Sequence, residues 1–252
     1  MTRLYPFFSS SKGNCTLLMS DGHGLLIDCG VSFSQIQRSF KAADISPGAL
    51  DGILLTHAHS DHIRAVPQLF QKNIAPFYAN ASTLSSAGIT GVNHENRPFS
   101  LGPFRITPIE TSHDVDSCGY RIETARGALA IVTDTGRITP AMMQHLSGCS
   151  LIMLESNYDP DMLENGPYPA VLKARIRSAH GHLSNADCAS LLALKALEGT
   201  LKTAVLAHLS DHNNTPLTAR MAVLSAFSQY GVEDIRLEVG GPFCPPLEVS
   251  DL

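Results

Sequence analysis

The sequence predicts an α/β (α+β) fold in which two β-sheets lie between layers of helices. Short β-type runs dominate the first quarter, and helical and β-type runs alternate in the second half. Hydrophobic residues make up 44% of the chain and charged residues 16%, so much of the chain must be buried. Because 252 residues can form one large core, we expect a single domain over residues 1–252.

The β-type runs of the first quarter are separated by Gly and Asp, which is typical of strands joined by turns. They cover residues 3–8, 15–19, 25–28 and 53–56. Helical patterns cover residues 33–42 and 63–71.

Further strands and helices are predicted in the rest of the chain. The strands lie at residues 105–109, 119–123, 128–133, 151–154, 203–207 and 235–239, and the helices at 140–145, 170–178, 185–197 and 216–230. No segment rich in Pro and Gly is long enough to mark a domain boundary.

Charge and cysteine content exclude several classes of protein. The net charge of −5 argues against a protein that coats nucleic acid non-specifically. The first residues lack the apolar core of a secretory signal, and no segment reaches the roughly 18 apolar residues of a membrane-spanning helix. The six cysteines are scattered without a C-x-x-C pair. We therefore expect a cytoplasmic protein that does not bind membranes.

The stretch THAHSDH, residues 56–62, places three histidines and an aspartate directly after a buried strand. His57 and His59 are two residues apart, so in an extended segment both side chains point to one face and can share an ion. A turn can direct Asp61 and His62 to a second position. A lone histidine is more often a surface or core residue, but four ionisable groups in seven residues favour a metal site. A closed structural zinc site is not expected, because no Cys lies nearby.

Further ligands are expected at the ends of other strands, since one loop cannot fill the coordination of two ions. His113 follows the strand at 105–109, Asp134 follows the run 130–132, and His208 ends the run 203–207. Asp134 can bridge two cations with its two oxygens. His212 is a rival for His208, which we prefer because it directly ends the apolar run.

This ordered set, H-x-H-x-D-H with Asp28 upstream and three ligands downstream, resembles the metallo-β-lactamase fold hydrolases. The resemblance covers the chain from about residue 9 onward and implies a four-layer αββα sandwich of two mixed sheets. It implies one metal held by His57, His59, His113 and Asp134, and a second held by Asp61, His62, Asp134 and His208. Asp28 would orient the loop that carries these ligands.

Finer features resemble the bacterial WalJ group, also called YycJ or VicX. They are SSSKGN at 9–14, ESNYD at 155–159, SAHGHLSN at 178–185 and HLSDHNN at 208–214. The resemblance implies an exonuclease-like enzyme related to ribonuclease J. The interval between residues 155 and 182 leaves no room for the large cap domain of ribonuclease J relatives, which puts a long clamped RNA substrate in doubt.

Two cations about 3.5–4 Å apart would suit phosphodiester hydrolysis through a metal-bridging hydroxide. The expected metals are two divalent ions, zinc or manganese, with iron also compatible with His and Asp ligands. Asp61 is placed to accept a proton, and Asp61, Asp134 and His182 are the predicted catalytic residues. The substrate is expected to be DNA, RNA or a small phosphodiester.

Several assignments stay open at this level. His182 and Ser184 precede a helix and are predicted to bind a substrate phosphate, although Ser184 also suits a helix N-cap. Lys173 and Arg177 lie four residues apart and either guide nucleic acid or form a solvated face, while Arg175 lies elsewhere on the helix. The loop at residues 9–14 suits either a backbone nest or a hairpin turn.

Two other functions compete with a nuclease. A small-molecule hydrolase would act on a cyclic phosphodiester or a thioester. A non-catalytic metal-binding module would have an incomplete ligand set, and none of the seven predicted ligands is missing. The oligomeric state is left open.

Overall fold

A computed structural model of the chain describes residues 1–250. Two seven-stranded sheets face each other, and helices cover the outer side of each sheet. The predicted four-layer α/β arrangement of two mixed sheets is confirmed.

The fourteen strands found in the described residues are β1 (Thr2–Ser10), β2 (Gly13–Ser20), β3 (His23–Ile27), β4 (Leu50–Leu54), β5 (Phe77–Ala79), β6 (Val92–Asn93), β7 (Phe99–Leu101), β8 (Phe104–Glu110), β9 (Cys118–Thr124), β10 (Gly127–Val132), β11 (Leu151–Glu155), β12 (Thr203–Ala207), β13 (Arg236–Val239) and β14 (Leu247–Glu248). The first sheet has the order β14-β1-β2-β3-β4-β5-β6, and the second has the order β13-β12-β11-β10-β9-β8-β7. Each sheet combines antiparallel hairpins with parallel strands.

The α-helices of the same region are α1 (Phe33–Ala42), α2 (Ser60–Ile63), α3 (Val66–Gln71), α4 (Ala81–Ala87), α5 (Pro140–His145), α6 (Pro160–Asn165), α7 (Ala170–Arg177), α8 (Asn185–Ala196) and α9 (Pro216–Tyr230). The helix predicted at residues 63–71 is divided into α2 and α3. Pro67 occupies the first turn of α3, where its missing N–H leaves no hydrogen bond unmade. Among the described residues, the interval between β11 and α8 holds only two short helices, α6 and α7.

Three hydrophobic clusters account for the layers. The central one joins the facing sides of the two sheets, for example Leu18 of β2 and Tyr120 of β9. A second packs α5, α8 and α9 against the second sheet, and a third packs α1, α3 and α4 against the first. None of the helices in residues 1–250 is both long and apolar enough to cross a bilayer.

Strands β3, β10 and β12 present their carboxyl ends at one edge of the sandwich. Asp28 follows β3, Asp134 lies just beyond β10, and His208 follows β12. All three have positive φ angles, of 57°, 58° and 54°, in the left-handed region that non-glycine residues rarely adopt. Such backbone strain concentrates at functional sites, where the surrounding structure holds it.

Candidate metal centre

The seven predicted ligands converge on one cluster at this edge. One group consists of His57, His59 and His113, and another of Asp61, His62 and His208; in each, one possible ligand atom per residue lies within 4.8 Å of the others. Side chains from positions 57 to 208 are therefore brought together by the fold.

Asp134 lies between the two groups. Its Oδ2 is 3.2 Å from His62 Nε2, and its Oδ1 is 3.6 Å from His208 Nε2 and 3.8 Å from His113 Nε2. This carboxylate therefore faces both groups, as a bridging ligand would.

Two polar atoms in the cluster are buried without a hydrogen bond, namely His57 Nε2 and Asp134 Oδ2. A buried polar atom without a partner is costly, so an unpaired imidazole nitrogen and carboxylate oxygen side by side call for a cation. Burial, together with the neighbouring His62, also holds the pKa of His57 well below its usual value, which leaves a neutral imidazole able to coordinate. The donor set fits a divalent metal.

Asp28 holds the cluster in place through hydrogen bonds to His62 and Thr56. It accepts a hydrogen bond of 2.7 Å from His62 Nδ1, and it also accepts from the backbone N–H and the hydroxyl of Thr56. Fixing Nδ1 in this way aims His62 Nε2 at Asp134. Burial opposes protonation, but Asp134 and Asp28 raise the pKa of His62 to about 10. A cation beside His62 Nε2 and Asp134 Oδ2 would supply the positive charge that these two carboxylates favour.

The pKa of Asp61 is lowered, whereas that of His62 is raised. Burial would raise the pKa of this carboxyl, but His208 and His62 lower it to about 2. Its Oδ2 lies 3.3 Å from His208 Nε2 and 3.6 Å from His62 Nε2. Asp61 is therefore a carboxylate at neutral pH and can accept a proton or bind a cation.

Glu155 is a site residue that sequence reasoning missed. It is the last residue of β11 and fully buried, and its Oε1 accepts from Nδ1 of both His182 and His208, at 2.8 and 2.9 Å. Its Oε2 accepts from the backbone N–H groups of Thr135 and Leu183. Its position in the sequence could have indicated this role, because Glu155 ends an apolar strand and His208 directly follows another.

His182 lies in the cluster, as the sequence predicts. Its ring centre is 5.2 Å from that of His113 and 5.3 Å from that of His208. Burial opposes protonation, but Glu155 and then Asp134 raise its pKa, so His182 holds its proton more strongly than an ordinary histidine.

Ser184 lies at the start of α8. Its hydroxyl is the N-cap of α8, accepting from the N–H of Asp187 and donating to the carboxylate of the same residue. Ser184 is also buried, and the N-cap that its sequence position allowed is the role seen here.

The loop at residues 9–14 is a hairpin turn between β1 and β2 that supports the site. Asn14 Nδ2 lies 3.0 Å from His62 Nε2 and donates to the carbonyl of Asp61. Ser9 Oγ accepts from the N–H of His208. His212, the rival for His208, is exposed and lies edge-on to Tyr168.

A β-lactamase superfamily domain matches residues 23–209, and all seven predicted ligands lie within that range. The chain belongs to the β-lactamase superfamily. Among curated relatives in this superfamily, it is 34% identical to exodeoxyribonuclease YycJ of Bacillus anthracis over 233 residues, covering 88% of each chain. It is 31% identical to exodeoxyribonuclease WalJ of Streptococcus pneumoniae, covering 88% of this chain and 86% of the relative.

A solved superfamily structure agrees with the fold. The metallo-β-lactamase fold protein YhfI from Bacillus subtilis superposes with a TM-score of 0.75 at 18% identity, covering 98% of both chains. The expected resemblance to the metallo-β-lactamase fold and to the WalJ group is confirmed.

Helix α7 of this superfamily member orients its basic residues in a way that the sequence did not predict. Lys173 donates to the carbonyl of Glu164, and Arg177 pairs with the carboxylate of the same residue. Arg175 instead pairs with Asp114, whose Oδ1 lies 3.3 Å from Nε2 of both His59 and His113. Arg175, rather than the predicted pair, is therefore the basic residue beside the metal centre.

Proposed function

We propose that this chain is a phosphodiesterase with two divalent metal ions that acts as a DNA exonuclease. The observation that carries the proposal is the cluster of seven ligands in which Asp134 lies between two groups of donors. Two relatives that each match 88% of this chain are exodeoxyribonucleases by name, which supports DNA as the substrate. Zinc or manganese suits the His and Asp donors, with iron also compatible.

When bound, the two cations would bind a phosphate oxygen and activate water for in-line attack. Asp61, a carboxylate in this cluster, is the proposed acceptor of the proton that the attacking water loses. His182, whose Nδ1–H donates to Glu155 and whose pKa is raised by that carboxylate, is the proposed donor of a proton to the leaving oxygen. Glu155 and Asp28 hold the imidazoles of His208 and His62 in the required orientation.

The two sheets share a central hydrophobic cluster, which supports the proposal that residues 1–252 form one domain. The described part of the chain holds six free cysteines, five of them buried, which suits the proposed cytoplasmic location.

The test is hydrolysis of bis(p-nitrophenyl) phosphate and of end-labelled single- and double-stranded DNA and RNA. We expect release of mononucleotides from DNA, and a loss of at least about 100-fold in His59→Ala. His145→Ala is the matched control, because this half-buried histidine lies outside the cluster, at the end of α5. Equal rates for His59→Ala and the unsubstituted protein would refute the proposal. A cyclic phosphodiester and a thioester in the same assay test the small-molecule alternative.

A further inference from the structure

A cleft of about 200 Å³ opens directly beside the metal centre. His113 and His182 line it on the side of the metal centre, and α7 with the segment before it lines the other side. A substrate whose phosphate lies between the predicted metal ligands can therefore place its adjacent group in this cleft.

The wall away from the metals is apolar and includes an aromatic ring. Tyr168, Leu172 and Ile176 line the cleft and belong to one small hydrophobic cluster. Tyr168 is half-buried and lies edge-on to His212, with ring centres 5.6 Å apart. An aromatic ring held in this way offers a stacking surface, and every nucleobase has a face that can stack on it.

The rim of the cleft carries a cation beside the metals. Arg175 lines the cleft and pairs with Asp114, although 61% of the Arg175 side chain is exposed. An exposed ion pair contributes little stability, so a phosphate can replace Asp114 as the partner of the guanidinium. The hydroxyls of Ser11 and Ser210 supply polar groups on the same lining.

We propose that this cleft binds a single unpaired nucleotide of the DNA strand, with the base stacked on Tyr168 and a neighbouring phosphate on Arg175. The volume lies below the roughly 300–1,000 Å³ of pockets for larger ligands, so it suits one nucleoside rather than two. A base stacked on Tyr168 is no longer paired, so the substrate end is single-stranded or frayed. This inference rests on the proposed phosphodiesterase function and adds the substrate unit that the site selects.

The first test compares two esters with the same leaving group, thymidine 5′-(p-nitrophenyl phosphate) and methyl p-nitrophenyl phosphate. Tyr168→Ala should lower kcat/KM for the nucleoside ester at least about fivefold more than for the methyl ester. Tyr168→Phe should keep the ratio of the two kcat/KM values, because it retains the ring. Phe243→Ala is a control for loss of an exposed aromatic residue elsewhere, since Phe243 is 98% exposed. An equal loss on both esters, or no loss on either, would overturn the assignment of Tyr168.

A second variant tests the phosphate contact. Arg175→Ala should weaken binding of a single-stranded oligonucleotide and reduce the slope of log K against log salt by about one. Arg177→Ala should leave that slope unchanged, because Arg177 does not line the cleft and pairs with Glu164 of α6 instead. Identical slopes for both variants would remove Arg175 from the proposed subsite.

A binding measurement separates this inference from the proposed function. An oligonucleotide with a terminal 2-aminopurine is titrated with protein in a chelator, so that no turnover occurs. Quenching by the unsubstituted protein and by Tyr168→Phe, but not by Tyr168→Ala, supports the nucleotide cleft even if neither ester is hydrolysed. Equal quenching by Tyr168→Ala, or no quenching by any of the proteins, overturns it.

Discussion

Replacing Glu155 by Gln should damage both the fold and the metal centre. One carboxylate oxygen accepts from His182 and His208, and the other accepts from the N–H groups of Thr135 and Leu183. An amide has only one acceptor oxygen, so in either orientation its NH2 group faces two N–H donors. Two buried donors left without an acceptor cost about 1–3 kcal/mol each, so we expect a loss of roughly 2–6 kcal/mol in the free energy of unfolding. Metal affinity or activity should fall about 10- to 100-fold because the two imidazoles lose their orienting partner.

Thermal unfolding, metal content after dialysis and kcat/KM for bis(p-nitrophenyl) phosphate measure these effects. The predicted loss corresponds to a Tm lower by roughly 4–24 °C. Glu164→Gln is the control, because the same chemical change is made at an exposed carboxylate that forms an ion pair with Arg177. A Glu155→Gln protein with unaltered Tm, metal content and activity would show that the network around this carboxylate is energetically unimportant.

Three further predictions follow from local geometry. In Gly30→Ala the new Cβ would lie 1.5 Å from the carbonyl oxygen of Asp61 and displace the loop that carries the ligands, so we expect the free energy of unfolding to fall by about 3 kcal/mol or more and bound metal to be lost. In the control Gly48→Ala the nearest atom lies 3.5 Å away, so the free energy of unfolding should change by less than about 0.5 kcal/mol. Equal denaturation midpoints for the two variants would contradict this prediction. Burial lowers the pKa of His94 to about 4, although Asp116 acts to raise it. The unfolded chain therefore binds a proton at His94 more readily than the folded chain does. The contribution of neutral His94 to folding stability is complete above about pH 6.5 and is lost as the pH falls towards 4. After a discount for partial exposure, the difference in pH-dependent stability between the unsubstituted protein and His94→Leu should amount to roughly 2 kcal/mol over that range, and parallel pH profiles would argue against it. Chelation should lower Tm, because the metal stabilises only the folded chain. The lost stabilisation is about 2.7 kcal/mol if the free metal was present at 100 times its Kd. A Tm that does not respond to chelator would argue against a resident metal.

The positions of the ligands could be predicted because of a local pattern. An apolar run precedes each of His57, Asp134 and His208 in the sequence. The strands formed by such runs end at one edge of the sheets, which brings the residues that follow them together. The fold class followed from the same runs together with the helical periodicities. Helix α8, for example, lies within one residue of its predicted end.

What the sequence did not predict depends on contacts between distant segments. The role of Glu155 requires His182 and His208, which are 27 and 53 residues further along the chain. The periodicity of α7 places Lys173 and Arg177 on one face, but it carries no information about Glu164 of α6, which binds both side chains.

Short elements were also missed, for a different reason. Strands β5, β6 and β7 have only two or three residues each, and α4 and α6 have seven and six. Segments of this length are too short for a hydrophobic period to emerge, and tertiary packing decides their conformation.

The central claim is that two divalent ions are bound between the two groups of ligands, with Asp134 contacting both. Anomalous diffraction from crystals grown with zinc or manganese tests it most directly. We predict two peaks about 3.5–4 Å apart, one next to His57, His59 and His113 and the other next to Asp61, His62 and His208. Peaks located elsewhere on the protein, with these imidazoles free of metal, would contradict it.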